Sequence, residues 1–451
     1  MQTNTNQSMI KEEYGASYKR MFWPMMAVFY ALFVLRNVFS VNFPVALFLA
    51  WVAVMALVFD ETEIKALLIA FMPLAPGFQS KFAILVCMVI LLCKCYKNLK
   101  VPFFVLIVPL LMVWEYFHLS IGYSSTAEYL SGFAPLMCLV LIVSLPNKHE
   151  DISFFSRVLA VTLAVASVIL MASMVLGDQQ SLSSLFQEGI RLGTIEEAED
   201  YQITYNANGL GFLCNIAIVG LLTNFYFKRS KKIDYVLMVL LIVVGCLTVS
   251  RTFLLCLAGT FVLYVLLQQK SLFGKIRVLI TVSFCVAIGF GLLKLTVPTV
   301  IENYVTRFNA EDITGGRSFL YDFYNEFITS SPERLWFGIG VQSIDLKMMH
   351  FTGAQVNVPH NGYQQMIVAW GIIGLALMLL LILFMTVYAR KKNRGAPFMC
   401  YLPLILLMVN ILAGQFVTSG TKLLSLIFIY LMICNGGKKA VKESNGTDQC
   451  K

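Results

Sequence analysis

The chain has 451 residues, of which 58% are hydrophobic, 13% aromatic and 13% charged, and its formal net charge is +9. That charged share is about half the roughly 25% of a soluble globular domain, too little to clothe a water-facing surface. The composition also excludes a disordered chain, a disulfide-rich secreted module and a coiled coil, which leaves an all-α polytopic membrane protein. The basic residues are spread along the chain and not gathered into one patch, so nucleic acid is not an expected partner.

Apolar runs able to cross a hydrocarbon layer of about 30 Å recur from one end to the other. After a polar cytoplasmic tail (1–21), about fourteen are expected. The first seven run from Phe22 to Phe39, Val41 to Phe59, Ile64 to Phe78, Phe82 to Tyr96, Pro102 to Phe117, Glu128 to Leu145 and Phe154 to Leu176. The rest run from Asn208 to Phe227, Ile233 to Ser250, Thr252 to Leu267, Ile276 to Leu295, Asn361 to Tyr388, Phe398 to Ala413 and Gly420 to Cys434. If the short Ile64 to Phe78 run and one neighbour are re-entrant, twelve spans remain. The first run follows a polar stretch and lacks a small-residue cleavage site, so it reads as a retained helix.

Basic residues in short loops are held on the cytoplasmic side. With the N-terminus inside and the spans alternating, that side collects Lys94, Lys97 and Lys100, then Lys228 to Lys232, Lys270 to Arg277, Arg390 to Arg394 and the basic tail 435–451. Both termini are then cytoplasmic. Five further segments follow the first tail: spans with an acidic outer loop (22–205), spans with outer Asn and Ser-Arg motifs (206–295), a large extracytoplasmic loop (296–360), the C-terminal spans (361–434) and the tail. The acidic outer loop, Gly177 to Ala207, holds six carboxylates, from Asp178 to Asp200, against Arg191 alone. In the large loop, Phe319, Leu320, Phe323 and Phe327 recur at helical spacing until Ser330, Ser331 and Pro332 stop the run. They predict a short helix lying on the membrane or capping a cavity.

Polar residues at span ends carry the functional signal, because a bilayer makes them expensive. Four outer helix starts hold them: Asn206 and Asn208; Ser250, Arg251 and Thr252; His360 and Asn361, followed by Tyr363 and Gln364; and Thr421 with Lys422. Helix N-termini offer free N–H groups and partial positive charge, and a guanidinium fork matches phosphate oxygens in pairs, so an anionic substrate at the outer surface is expected. Each residue also has a plainer reading. Arg251 could snorkel to the interface, Arg317 could be a solvated loop residue, His360 a cap after Pro359, and Lys422 an interfacial anchor. Trp370, Gly371 and Gly374 read as close helix packing, a role also open to Asn208 with Gly209 and Gly211. No metal site is expected: Cys93 and Cys95 stand without further ligands nearby.

The order of these motifs resembles the O-antigen ligase and polymerase superfamily of bacterial membrane glycosyltransferases. Asn206-Ala-Asn208-Gly209 begins one helix and Ser250-Arg251 another. A long loop with Gly316-Arg317, Pro332 and Gly338-Ile-Gly340 then closes with His360-Asn361-Gly-Tyr363. Gln364 departs from the pattern, which usually places an apolar residue after the tyrosine. The resemblance implies a transferase acting on a polyprenyl-diphosphate-linked oligosaccharide and a glycan acceptor at the outer face of the plasma membrane, with a flippase and a chain-length regulator as possible associates. By that likeness Arg251 and Arg317 hold the diphosphate and His360 takes the acceptor's proton. Asn206, Asn208, Asn361, Tyr363, Gln364 and Lys422 would line the substrate, and no cofactor or metal is implied. A polymerase is preferred to a ligase acting on a lipid A core. A transporter or flippase of lipid-linked sugars, which would favour paired repeats and midplane charges, is the alternative of another class.

Overall fold

A hydrocarbon solvent offers no hydrogen-bond partners, so runs this apolar must close their backbone bonds within helices. The computed structural model does so, with no strand among the described residues. It describes residues 21–74, 80–118, 126–146, 150–177, 206–268, 271–277, 298–309, 318–341 and 359–437, with isolated positions between 280 and 295. The acidic loop 178–205, Arg317, most of the Ile276 to Leu295 run and both tails lie outside them.

The first seven helices are α1 (Met21–Asn37), α2 (Val45–Val58), α3 (Glu61–Leu74), α4 (Ser80–Cys95), α5 (Ile107–Phe117), α6 (Thr126–Ser144) and α7 (Ile152–Gly177). Then come α8 (Ala207–Tyr226), α9 (Lys232–Leu247), α10 (Arg251–Gln268), α11 (Pro298–Asn309), α12 (Ser318–Thr329) and α13 (Pro332–Phe337). The last are α14 (Gly362–Lys392), α15 (Leu402–Leu412) and α16 (Gly420–Asn435). Among the described residues, α7, α8, α10 and α14 are long and apolar enough to cross a membrane, and six shorter apolar helices accompany them. Four helices of spanning length thus stand among the described residues where the sequence led us to expect twelve to fourteen spans.

The centre is made by helices wrapped in protein. In α3 only Thr62 escapes burial, and α16 is buried from Lys422 to Asn435. Both pack on each other and on α7, which in turn packs on α8 and α9. At 1.5 Å per residue α3 is about 21 Å long, short of the hydrocarbon thickness. A helix surrounded on all sides has no lipid to match, which is why so short a run is stable there.

Charged side chains stitch one end of this bundle. Lys65 lies between Glu61 at 2.8 Å and Glu150 at 2.7 Å, all three buried, and Asn435 donates its side-chain amide to Glu150. Arg157 holds Asp234 through two bonds of 2.8 and 3.0 Å, and Asp234 also caps α9 by accepting from the Lys231 N–H. Lys94 donates to the carbonyls of Ala56, Leu57 and Phe59 at the C-terminus of α2, where the helix dipole favours a cation. Each pair joins helix ends that strict up-and-down alternation puts on the same side.

At the other end the chain breaks its own regularity. Gly371, at φ 69° and ψ −175°, kinks α14, a backbone state that L side chains avoid. There the carbonyls of Val368 and Ala369 accept from the N–H groups of Ile339 at 2.9 Å and Gly340 at 2.8 Å. The segment after α13 thus lies along the break, close enough that a Cβ on Gly371 would collide with the Trp336 carbonyl. Buried Glu115 of α5 locks both sides, accepting from the Trp370 indole at 2.6 Å and from the Val341 N–H at 2.9 Å.

Replacing Gly371 by Ala should lower the melting temperature in detergent, since a strained backbone residue costs about 1–3 kcal/mol before any collision is counted; an unchanged melt would show that the kink is dispensable. Lys65→Met leaves two buried carboxylates uncompensated and should cost about 3–5 kcal/mol. The matched control is Val89→Ala, an exposed position on α4, and equal melting of the two variants would remove the triad from the list of stabilising contacts.

Candidate functional site

The turn between α9 and α10 is strained and tightly tied. Val249 sits at φ 49°, a left-handed conformation that a β-branched residue rarely adopts. The Thr248 hydroxyl donates to the Gly245 carbonyl at 2.7 Å and accepts from the Ser250 N–H at 3.3 Å, which holds the turn shut. Ser250 then caps α10, its Oγ accepting from the Phe253 N–H at 3.3 Å and donating to Asn208 Oδ1 at 2.9 Å. Asn206 caps α8 by accepting from the Asn208 N–H at 3.0 Å. Two helix N-termini therefore stand side by side, with half-buried Arg251 as the first residue of α10. Their close approach depends on small residues: Gly211 leaves room for Phe253 and Ser250, and the Phe253 ring lies over Gly245.

A second cluster forms where α14 begins. Asn361 caps it, accepting from the N–H groups of Tyr363 at 3.0 Å and Gln364 at 3.3 Å, and half-buried His360 immediately precedes that cap. The Tyr363 hydroxyl donates to the Met408 carbonyl of α15 at 3.2 Å. Gln364 gives its amide to the Tyr321 carbonyl and to Asn325 Oδ1, both at 2.9 Å, which fixes α12 over the start of α14. Gln365 secures the α15–α16 turn, accepting from Phe416 and Val417 and donating to Thr418.

Lys422 connects the two clusters. It is 6% exposed, donates to the Asn410 carbonyl of α15 at 2.8 Å and stands 5.9 Å from the Phe212 ring of α8. It forms no ion pair among the described residues. Because α15 packs on α8 and α14 alike, Asn206, Asn208, Arg251, His360, Asn361, Tyr363, Gln364 and Lys422 share one end of the bundle. The structure joins Asn208 directly to Ser250, and Gln364 to α12. It makes of them two clusters and not one contiguous set. Arg317 lies outside the described residues, although the next residue, Ser318, begins α12. No group of three or more His, Cys, Asp or Glu suited to a metal occurs among the described residues.

Glu115 escaped the reading of the sequence as an element of this end. Glu115 had a signal, a lone carboxylate inside an apolar run. A cavity of about 70 Å³ lies beside Trp370, lined also by Lys81, Phe133, Val341 and Thr418, and includes neither Arg251 nor His360.

The Asn208–Ser250 bond should appear as a coupling of about 0.5–1.5 kcal/mol in a double-mutant cycle of Asn208→Ala and Ser250→Ala, read by thermal unfolding. Strict additivity would mean that the two helix starts are not joined through these side chains.

No curated protein matches the chain. Residues 236–379 match the family model Wzy_C, described as O-antigen ligase, a segment that contains Ser250, Arg251, α12, α13, His360 and the Gly371 kink. Members of that family are glycosyltransferase-like ligases and polymerases acting on lipid-linked glycans in a membrane. Over residues 236–379 the chain is therefore similar to the O-antigen ligase family.

Proposed function

We propose that the protein is a polymerase of cell-surface polysaccharide, of the O-antigen or capsule type. It transfers a glycan from a polyprenyl-diphosphate carrier to a sugar hydroxyl at the extracytoplasmic face of the plasma membrane. The observation that carries this reading is the pair of helix N-termini held together by Asn208 and Ser250, with Arg251 at their junction inside the family-matched segment. Free N–H groups, helix dipoles and a guanidinium are what a diphosphate needs. Buried Lys422, which donates to the Asn410 carbonyl, adds a hydrogen-bond donor to the same end.

In the proposed reaction Arg251 and Arg317 bind the diphosphate. The acceptor oxygen forms a bond to the anomeric carbon as the bond to the diphosphate oxygen breaks, so a single displacement inverts that centre. The acceptor proton passes to His360, imidazole being the side chain suited to act as a base near neutral pH. Diphosphate is already a good leaving group, so the route asks the protein for positioning and stabilisation of negative charge and assigns no role to a metal. Asn361 would act through the backbone that it caps, and Gln364 through α12, which it holds over the start of α14. A flippase supplying the donor and a regulator of chain length fit this role as partners.

The family description favours one second reading, a ligase that moves the glycan to a lipid A core or another acceptor. Incubating purified protein in detergent with lipid-linked repeat units alone separates the possibilities. Lengthened lipid-linked chains support the polymerase, and growth only after a different acceptor is added supports the ligase. No covalent product under either condition points to a flippase. In cells, Arg251→Ala and His360→Ala should each abolish the polymer ladder on gels while the protein still inserts in the membrane, each losing about 10²-fold or more in rate. A normal ladder from both variants removes these roles.

A further inference from the structure

A groove at the end of α14 opposite His360 takes no part in the proposed transfer. It measures about 280 Å³ and is lined by Phe103, Phe104, Phe384, Val387, Tyr388 and Lys391. Phe104 makes its wall, with ring contacts to Tyr388 at 5.5 Å and Phe384 at 6.4 Å. Phe103 stands at the rim and is 86% exposed. In water so bare an aromatic surface would be costly, but at the edge of a bilayer it meets acyl chains, and aromatic rings favour that depth.

The mouth of the groove is basic. Lys391 belongs to the last turn of α14, between Arg390 and Lys392, and Arg394 follows. Lys392 turns inward, its ammonium 4.6 Å from the Tyr388 ring centroid and 2.9 Å from the Tyr430 hydroxyl. That leaves Lys391 as the cation at the groove itself. An apolar slot ending in an exposed ammonium matches a molecule with a hydrocarbon chain and an anionic head. Inorganic phosphate would leave the aromatic wall unused, and a zwitterionic head would present its own cation to Lys391 and the arginines.

We infer that this groove binds one anionic phospholipid, with an acyl chain along Phe104, Phe384 and Val387 and the phosphate on Lys391. The inference requires the chain to be embedded in a membrane and is independent of the transfer reaction. Since the same helix begins at Asn361, the lipid would also brace the lower half of α14, below the Gly371 kink.

The test is native mass spectrometry on the full-length protein, released from detergent with equimolar phosphatidylglycerol and phosphatidylcholine of identical chains. Phosphatidylglycerol should be retained preferentially. Lys391→Glu should reduce its retention by at least about fivefold, since each surface lysine contributes on that scale, whereas Lys391→Arg should preserve it. Val387→Trp, which fills the slot and keeps the charge, should reduce retention as well. Should that variant fail to fold, the Lys391 pair alone decides. Equal retention of both lipids by the unaltered protein, retention unchanged by Lys391→Glu, or displacement by inorganic phosphate would overturn the inference. So would a protein dimer that dissociates in the same variants, because it would give the groove to a second copy.

Discussion

A helix that breaks inside a membrane protein exposes carbonyls to a medium with nothing to offer them, and the architecture around α14 answers that constraint. Gly371 supplies the backbone state that makes the break possible, and the N–H groups of Ile339 and Gly340 satisfy the carbonyls beside it. From this exchange follow the seating of α13, the buried Glu115 that accepts from Trp370 and Val341, and the stacking of Trp114 on Phe337 at 5.6 Å. The loop is built into the helix, which is how a segment outside the hydrocarbon can be held rigid relative to the residues that begin α14.

The two ends of the bundle use charge in opposite ways. At one end, cations meet carboxylates or helix C-termini: Lys65 with Glu61 and Glu150, Arg157 with Asp234, Lys94 with the end of α2. Buried charges paired in this way are consumed locally. At the other end, basic side chains stand beside helix N-termini. Four helix N-termini, Arg251 and Lys422 belong to it, and among the described residues Lys422 meets the Asn410 carbonyl and the Phe212 ring. A concentration of positive potential in a site of low dielectric is worth more to an incoming anion than the same charges in water.

Much of this could be read from the residues alone, because local rules govern it. Apolar runs became helices, the spacing of Phe319, Phe323 and Phe327 became α12, and the asparagines before α8 and α14 became caps. What could not be read depends on pairing across the chain. Glu115 meets Val341 and Trp370 over separations of 226 and 255 residues, and no periodicity announces such a match. Gly371 looked like a packing residue because its neighbours Trp370 and Gly374 are one: the Trp370 side chain lies over Gly374. Only the positive φ distinguishes it. Likewise the tie between Gln364 and α12, made by its amide to the Tyr321 carbonyl and Asn325 Oδ1, has no local signal in the sequence.

The bonds from Ile339 and Gly340 to α14 are made by main-chain atoms. Exposed side chains along 332–341, such as Trp336, can therefore vary, provided that the glycines, buried Ile339 and the Phe337 ring stacked on Trp114 are kept. A scaffold of this kind separates the anchoring of a surface loop from its chemistry. New loop faces, suited to different sugars, could be grafted onto one unchanged seat.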